Sequence, residues 1–486
     1  MHIFKLLNVI IYHWEHVTYL PFYAVITRMF ISFIGKHKIL FDKKEIKVIW
    51  LLFLVLLILT YINYKISNRD IFNPGVVFSA MFLLFSFFCC LANLFIGIDI
   101  EDFKTIIVIL FGSGMFTFVN YTLGKKYVLK KVVDMGCDIS SIWGVITIVI
   151  IIINMYIEYN YIMAFSAAYG FASDFFEAMV QYKVITTLKD ADAILVPSPW
   201  YRGPLITVCG CFAYFSVYVF FVKKIFNNQF SPIYASVITL YIIYSLMGGG
   251  RSETFRLVTA CIFIWYFFYR LHKGESFKIR PVLLKIMFLL VAVSLFFISF
   301  IYIVGRSQED MDFESVIMAM FIYAGAPIFN LDIYLQNPWG QTYGIFGELT
   351  FVRFINWLGR KIDDTSLIYE LDIPFLYYQN YSLGNVYSTF YPFIYDFGFL
   401  GVLVLTVIMA VVCVWLYNKV NFVRISSNRI SMYVVCYAYL VNDIVMSPFA
   451  ARFYENVVNV GTIQRWIGLL FLIKIVECFD KSKSLK

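Results

Sequence analysis

The sequence predicts an all-α, polytopic integral membrane protein with about 11–12 transmembrane helices and a large extracytoplasmic loop. Three observations lead there. Of 486 residues, 61% are hydrophobic and 14% charged, against roughly 25% charged in soluble chains. Apolar runs long enough to cross a bilayer, about 20 residues each, recur from residue 46 to residue 478. Backbone polar groups in lipid must be satisfied within helices or a closed barrel, and these runs are too long for barrel strands.

The elements follow in order. Spans are expected over 46–64, 74–96, 103–123, 140–157, 204–222, 231–247, 254–270, 281–304, 397–417, 431–449 and 461–478. The segment 17–34 is a weaker candidate, and Arg28 leaves an interfacial helix open. This divides the chain into an N-terminal segment 1–45, a first bundle 46–304 with a loop at 158–203, a large loop 305–396, and C-terminal helices 397–486. Lysines and arginines gather in alternate connections (Lys65 and Arg69; Lys125, Lys126, Lys130 and Lys131; Lys223 and Lys224; Arg270, Lys273, Lys278 and Arg280; Lys419, Arg424 and Arg429; Lys481, Lys483 and Lys486), which places these on the cytoplasmic side. Lys36, Lys38, Lys43, Lys44 and Lys47 fall on the opposite side by this count, unless the N-terminal segment lies on a membrane surface.

Several function classes lose support. The +8 net charge is scattered through short loops rather than gathered in a patch, so nucleic acid is not the expected partner. Eight of the nine cysteines lie in apolar runs, Cys137 sits beside a basic loop, and none has metal-ligand spacing, so neither disulfides nor a metal site are expected. Asp190-Ala191-Asp192 and Asp310-Met311-Asp312 match a DxD pattern too short to count. The five histidines lie N-terminally or on the inner face, which leaves no histidine base for chemistry on the outer face.

The informative residues are arginines. Gly248-Gly249-Gly250-Arg251 forms a turn between two spans at the outer boundary, and glycines permit both a sharp bend and close approach of a ligand. The tripeptide Gly250-Arg251-Ser252 recurs as Gly305-Arg306-Ser307 on the same face. Guanidinium groups bind phosphate oxygens in a fixed fork, so two such turns suit a diphosphate; alternatively each arginine snorkels to headgroups. Arg256 has Glu253 three residues earlier, so a local ion pair is expected there. Asp443 lies at apparent membrane depth, with Arg452 or Arg465 as structural partners. Asp396 could cap the helix that follows it. The large loop is rich in aromatics, among them Tyr323, Tyr343, Trp357, Tyr377, Tyr387 and Tyr391, which suit sugar faces or a membrane-interface belt. A loop of that length is usually functional.

Four stretches, in order, resemble the bacterial oligosaccharide repeat unit polymerases, the Wzy-type O-antigen and capsule polymerases. "RDIFNPGVVFSAMFLLFSF" (69–87) resembles the polar-proline opening of an early span, "GGGRSETFRL" (248–257) the Gly/Ser-Arg turn, and "VGRS" (304–307) the start of the large periplasmic loop. "GNVYSTFYPFIYDFGFLGVL" (384–403), the most specific of the four, resembles the exit from that loop. The resemblance implies a GT-C-like, metal-independent glycosyltransferase of the inner membrane with no cofactor. Its substrates would be undecaprenyl-diphosphate-linked oligosaccharides, with membrane lipid and a chain-length regulator protein as further partners. By matching position it implies that Arg251 and Arg306 grip the diphosphate leaving group; Asp396 is a further catalytic candidate, and Gly249, Gly250, Ser252, Arg256, Tyr323, Arg353, Asn385, Tyr387 and Arg452 are candidate substrate contacts. Glu348, Asp332 and Asp396 are the carboxylates able to accept a proton from the acceptor hydroxyl. A flippase or transporter of lipid-linked glycans and an O-antigen ligase are the alternatives. No internal repeat supports the transporter, and the ligases' loop histidine has no counterpart between Gly305 and Asp396.

Overall fold

A computed structural model describes residues 48–125, 139–170, 174–188, 196, 198–286, 313–369, 371–379, 381–422 and 430–484. Arg306 with its flanking glycine and serine, the 17–34 segment, the Lys36–Lys47 cluster and most of the 281–304 span lie outside these. The chain divides into two compact units. Of the smaller, residues 1–46 and 273–310, the described part is a single turn at Gly274–Ser276 followed by helical residues 279–286. The larger unit holds everything below.

Eight helices make up its first half: α1 (Val48–Ile66), α2 (Pro74–Ile96), α3 (Phe103–Leu123), α4 (Ile142–Ala168), α5 (Phe175–Leu188), α6 (Arg202–Ile225), α7 (Pro232–Leu246) and α8 (Ser252–Lys273). Then come α9 (Phe313–Gln336), α10 (Val352–Ile362), a hairpin of β1 (Leu376–Tyr378) and β2 (Tyr381–Gly384), α11 (Phe390–Phe422), α12 (Met432–Val445), α13 (Arg452–Val457) and α14 (Val460–Ser484). Among the described residues seven helices are long and apolar enough to cross a membrane: α1, α2, α3, α4, α6, α8 and α11. The protein is an all-α polytopic membrane protein.

Local sequence explains the boundaries. Pro74 opens α2 where its missing N–H costs nothing, Asn73 caps it by accepting from Gly75 N, and Gly97 ends it in the left-handed region at φ 81°. Asp102 caps α3 by accepting from Lys104 N. At the far ends of α1 and α3, Asn63 donates to Thr117 Oγ1 at 2.8 Å and to Ser79 Oγ at 3.2 Å, and accepts from Asn120 at 3.2 Å. Polar pairs of this kind hold apolar helices together where lipid offers no hydrophobic drive.

Two departures from the expected layout matter for function. The 305–396 segment is not one long loop: α9 occupies 24 of its residues and packs along α2, with Gly325 set against Cys89. Pro327, Asn330 and Asp332 interrupt its apolar run; the Asn330 amide nitrogen donates to Val386 O at 2.8 Å, and Asp332 is met by several donors. Asp332 accepts from the N–H groups of Glu101 and Asp102, from Thr105 Oγ1 at 2.6 Å and from Gln336. Likewise the 158–203 segment begins as a continuation of α4 and contains α5.

The second departure is at α11, which bends sharply at Gly398 (φ 63°, ψ −159°), a conformation essentially confined to glycine. The short arm before the bend starts inside the bundle. Phe390 stacks on Phe82 at 5.2 Å between ring centroids, and a Cβ on Gly112 of α3 would strike the Phe390 ring. Thr389 N donates to Ser447 O, 2.8 Å away, just past the end of α12. Gly112 lies about 16 Å along α3 from Leu123, whose carbonyl accepts from Asn418 near the end of α11. Residues 387–389 therefore reach well into the bundle, where non-helical backbone is tolerated only under protein cover.

Candidate functional site

The turn between α7 and α8 holds the opening glycines of the arginine motif. Gly249 has φ 67°, and a Cβ there would lie 2.9 Å from Lys183 Cβ of α5. Its lack of a side chain therefore admits α5 as well as the bend. Gly250 has open space around it, Ser252 is exposed as the first residue of α8, and Arg251 is half-buried at the mouth of the turn. Ser245 and Thr254 hydroxyls share a 2.6 Å hydrogen bond across the turn. The covering helix α5 is met through Tyr182, whose hydroxyl accepts from Arg202 Nη2 at 3.5 Å; the same Arg202 of α6 grips Glu158 of α4 through two bonds at 2.8 and 2.7 Å and lies over the Tyr161 ring.

Just beneath, four charged side chains form one network. Arg256 Nη1 donates to Glu253 Oε2 at 3.0 Å and to Tyr439 Oη at 2.9 Å, while its Nη2 lies 3.3 Å from Asp443 Oδ1. Arg465 Nη1 donates to Glu253 Oε1 and to Tyr439 Oη, both at 3.1 Å. Tyr241 adds a bond to Glu253 Oε1 at 3.0 Å, and Asn456 reaches Asp443 Oδ1 at 2.7 Å. Asp443 is fully buried. Two arginines meet two carboxylates, so the network is formally neutral. Its guanidinium–carboxylate geometry suits four helices that must be held in register without leaving an unpaired charge. A Cβ on Gly210 of α6 would lie 2.9 Å from Arg465 Nε, which sets the network about 12 Å along α6 from its start at Arg202.

The expected local pair of Glu253 and Arg256 is present. Asp443, however, pairs with neither expected partner. It takes Arg256, whereas Arg465 pairs with Glu253 and Arg452 with Glu455. The reason is depth: α12 places Asp443 opposite the first turns of α8, while Arg452 belongs to the short helix beyond.

That short helix supplies a second cationic group. Arg452 Nη1 and Arg353 Nη2 both approach Glu455 Oε2, at 2.8 and 3.2 Å. Two guanidiniums on one carboxylate leave a surplus positive charge, and both arginines are partly exposed. The structure thus joins two residues, Arg353 and Arg452, that are 99 apart in sequence, and Asn456 on the same turn links them to the buried network.

The three carboxylates considered as bases hold backbone instead. Asp396 accepts from Leu349 N at 3.2 Å and Thr350 N at 2.6 Å, so it ties the 337–350 segment down rather than capping the helix after it. Asp332 secures the start of α3, as described. Glu348 accepts from Thr342 N (2.7 Å), Tyr343 N (3.0 Å), Ile345 N (3.3 Å) and Tyr395 Oη (2.6 Å). Burial opposes charge on Glu348, but the Tyr395 hydroxyl and the three N–H groups prevail and hold the carboxyl below its usual 4.5. Its stabilising contribution is therefore complete above pH 4.5 and disappears as pH falls through the lower folded value. Glu348→Gln is expected to lower Tm at neutral pH by leaving N–H groups unsatisfied, at a cost of about 1–3 kcal/mol. The gap between variant and wild type should close in thermal scans at successively lower pH. A gap that stays constant into that acid range would show that the charge does not hold the loop.

The remaining aromatic candidates divide. Tyr387 is buried, stacks on Tyr391 at 4.3 Å and donates to Pro374 O, and Trp339 Nε1 donates to Tyr391 Oη at 2.9 Å. These rings build the segment's own core. Tyr323 is 56% exposed on α9 with its ring near Phe449, and Asn385 is exposed on the turn after β2. Tyr439, Tyr241 and Asn456 went unnoticed in the sequence; an unbroken run of apolar neighbours hides a tyrosine whose partners are remote in the chain.

No family model, curated protein or solved structure matches the chain.

Proposed function

We propose that the protein is a membrane-embedded glycosyltransferase that polymerises undecaprenyl-diphosphate-linked oligosaccharide repeat units, the activity implied by the Wzy-type resemblance. The reaction would take place at the extracytoplasmic face of a bacterial inner membrane. The supporting observation is the arrangement of cations at one end of the bundle. Arg251 stands at a glycine turn directly before the paired Glu253 and Arg256, and Arg353 and Arg452 share a single carboxylate. The neutral network keeps its arginines for structure. Arg251 and the surplus charge on Glu455 are then the groups suited to a diphosphate.

Breaking a sugar–diphosphate bond builds negative charge on the leaving group. Fixed guanidinium donors stabilise that charge more in the transition state than in the ground state, and this difference accelerates the step. With Glu348, Asp332 and Asp396 engaged by backbone N–H groups, leaving-group stabilisation and alignment of two lipid-linked substrates supply the rate in this reading. Aromatic side chains of the 337–389 segment offer faces for sugar rings.

Deleting the gene and examining the surface glycolipid tests the proposal. Loss of a polymerase leaves single repeat units on the surface lipid. Loss of a flippase leaves none there, and loss of a ligase leaves long chains on the undecaprenyl carrier. Normal chain lengths after deletion would end the polymerase reading.

A further inference from the structure

The helix α10, with sequence VRFINWLGRKI, has two unlike sides. One side is closed by its own chain: Ile355 and Gly359 are buried, and a Cβ on Gly359 would meet Asp364 O and Leu367 Cβ at 2.9 Å. Asn356 stitches this side down through paired bonds to Tyr369, donating to its carbonyl and accepting from its N–H. The other side has no such cover. Phe354 and Trp357 stack on each other with centroids 6.0 Å apart and stand exposed, flanked by exposed Arg353, Arg360 and Lys361. At 3.6 residues per turn these five positions fall within about 120° of arc. The helix contains no acidic residue.

The position of the helix bears on what covers that side. Phe351, at its start, packs against Phe397 and Tyr454, and Arg353 pairs with Glu455. Phe397 directly precedes the Gly398 bend from which the long arm of α11 runs. Phe399 and Leu400, just past the bend, are 56% and 67% exposed, as suits side chains facing lipid. Phe346 packs at a tilt against the same Phe397 and is 79% exposed. The start of α10 is thus tied to the end of a membrane-spanning helix whose neighbouring side chains are exposed and apolar. Aromatic rings flanked by cations match the chemistry of the headgroup boundary, where rings sit among glycerol groups and basic side chains meet phosphates.

We propose that α10 is an interfacial helix, its Phe354–Trp357 pair set into the bilayer surface and Arg360 and Lys361 against anionic headgroups. It anchors the 337–389 segment to the membrane independently of any reaction that segment serves. Basic side chains are attracted to an anionic leaflet, so the anchor depends on lipid charge.

The test uses the full chain in phosphatidylglycerol-containing vesicles and compares tryptophan fluorescence of wild type with Trp357→Phe, so that the difference reports Trp357. Phospholipids brominated close to the glycerol are expected to quench this difference signal, deep-brominated lipids less so, and aqueous acrylamide weakly. The R360E/K361E pair, or wild type in vesicles of phosphatidylcholine alone, should lose part of the shallow quenching and gain acrylamide quenching. Phe354→Trp in the Trp357→Phe background supplies a second reporter should the first variant perturb the helix. Quenching by acrylamide without brominated lipid would overturn the proposal, because the face would then meet water. Quenching by neither would also overturn it, because protein, a second copy included, would then cover the face. Insensitivity to both charge reversal and lipid charge would overturn the anionic contact.

Discussion

Arg256→Ala is expected to cost the protein a large part of its stability. Arg256 is the cation that pairs with Asp443, and it also bonds Glu253 and Tyr439. Its removal leaves a fully buried carboxylate with Asn456 as its remaining side-chain partner. Breaking a buried pair by removing one partner costs about 3–5 kcal/mol, a large part of the ~5–15 kcal/mol that holds a typical domain folded. The measurement is thermal unfolding of detergent-purified protein, read as the loss of the monodisperse size-exclusion peak. Asp443→Asn in the same background should recover much of the loss, since it removes the stranded charge and keeps the volume. Wild-type Tm in Arg256→Ala would show that the network is not what holds α8, α12 and α14 together. The double variant separates electrostatic damage from lost packing, because only the former is rescued.

Arg251→Ala is expected to act on activity instead, reducing synthesis of long chains by about 10²–10³-fold, the usual effect of deleting one donor to a developing oxyanion. The contrast follows from placement, since Arg251 stands at the mouth of the α7–α8 turn and Arg256 one turn inside α8. Lysine should rescue only partly, because an ammonium supplies the charge without the planar fork. The assay is purified protein with defined undecaprenyl-diphosphate-linked repeat units, scored by product length. The same outcome is expected of Arg306→Ala, on the strength of the repeated Gly-Arg-Ser alone. Wild-type chain lengths in Arg251→Ala would return that arginine to headgroup snorkelling.

Much of the fold was legible in the sequence because membrane crossing is a local property. A run of about 20 apolar residues must form a helix in lipid whatever its neighbours do, and α1, α2, α3, α6 and α8 appear where their runs lie. The Glu253–Arg256 pair was legible for a similar reason, since residues three apart share a helix face. Local rules failed at α9. Pro327, Asn330 and Asp332 read as loop until the start of α3 and the end of β2 provide their partners. They failed again at Gly398, where a glycine among aromatics gives no sign that the chain turns back out of the bundle.

The sequence by itself determined the class of protein, the main spans and the cationic turn at Gly248–Arg251. Each follows from hydrophobicity, charge or backbone freedom within a few residues. Only the tertiary structure decided which charges are spent on holding the bundle. Asp443 meets Arg256 from 187 residues away, Arg353 and Arg452 converge on Glu455, and Glu348 and Asp396 are committed to backbone N–H groups. A charge inside an apolar bundle cannot stay unpaired, but nothing in its own segment specifies its partner, which is fixed when helices distant in sequence pack side by side.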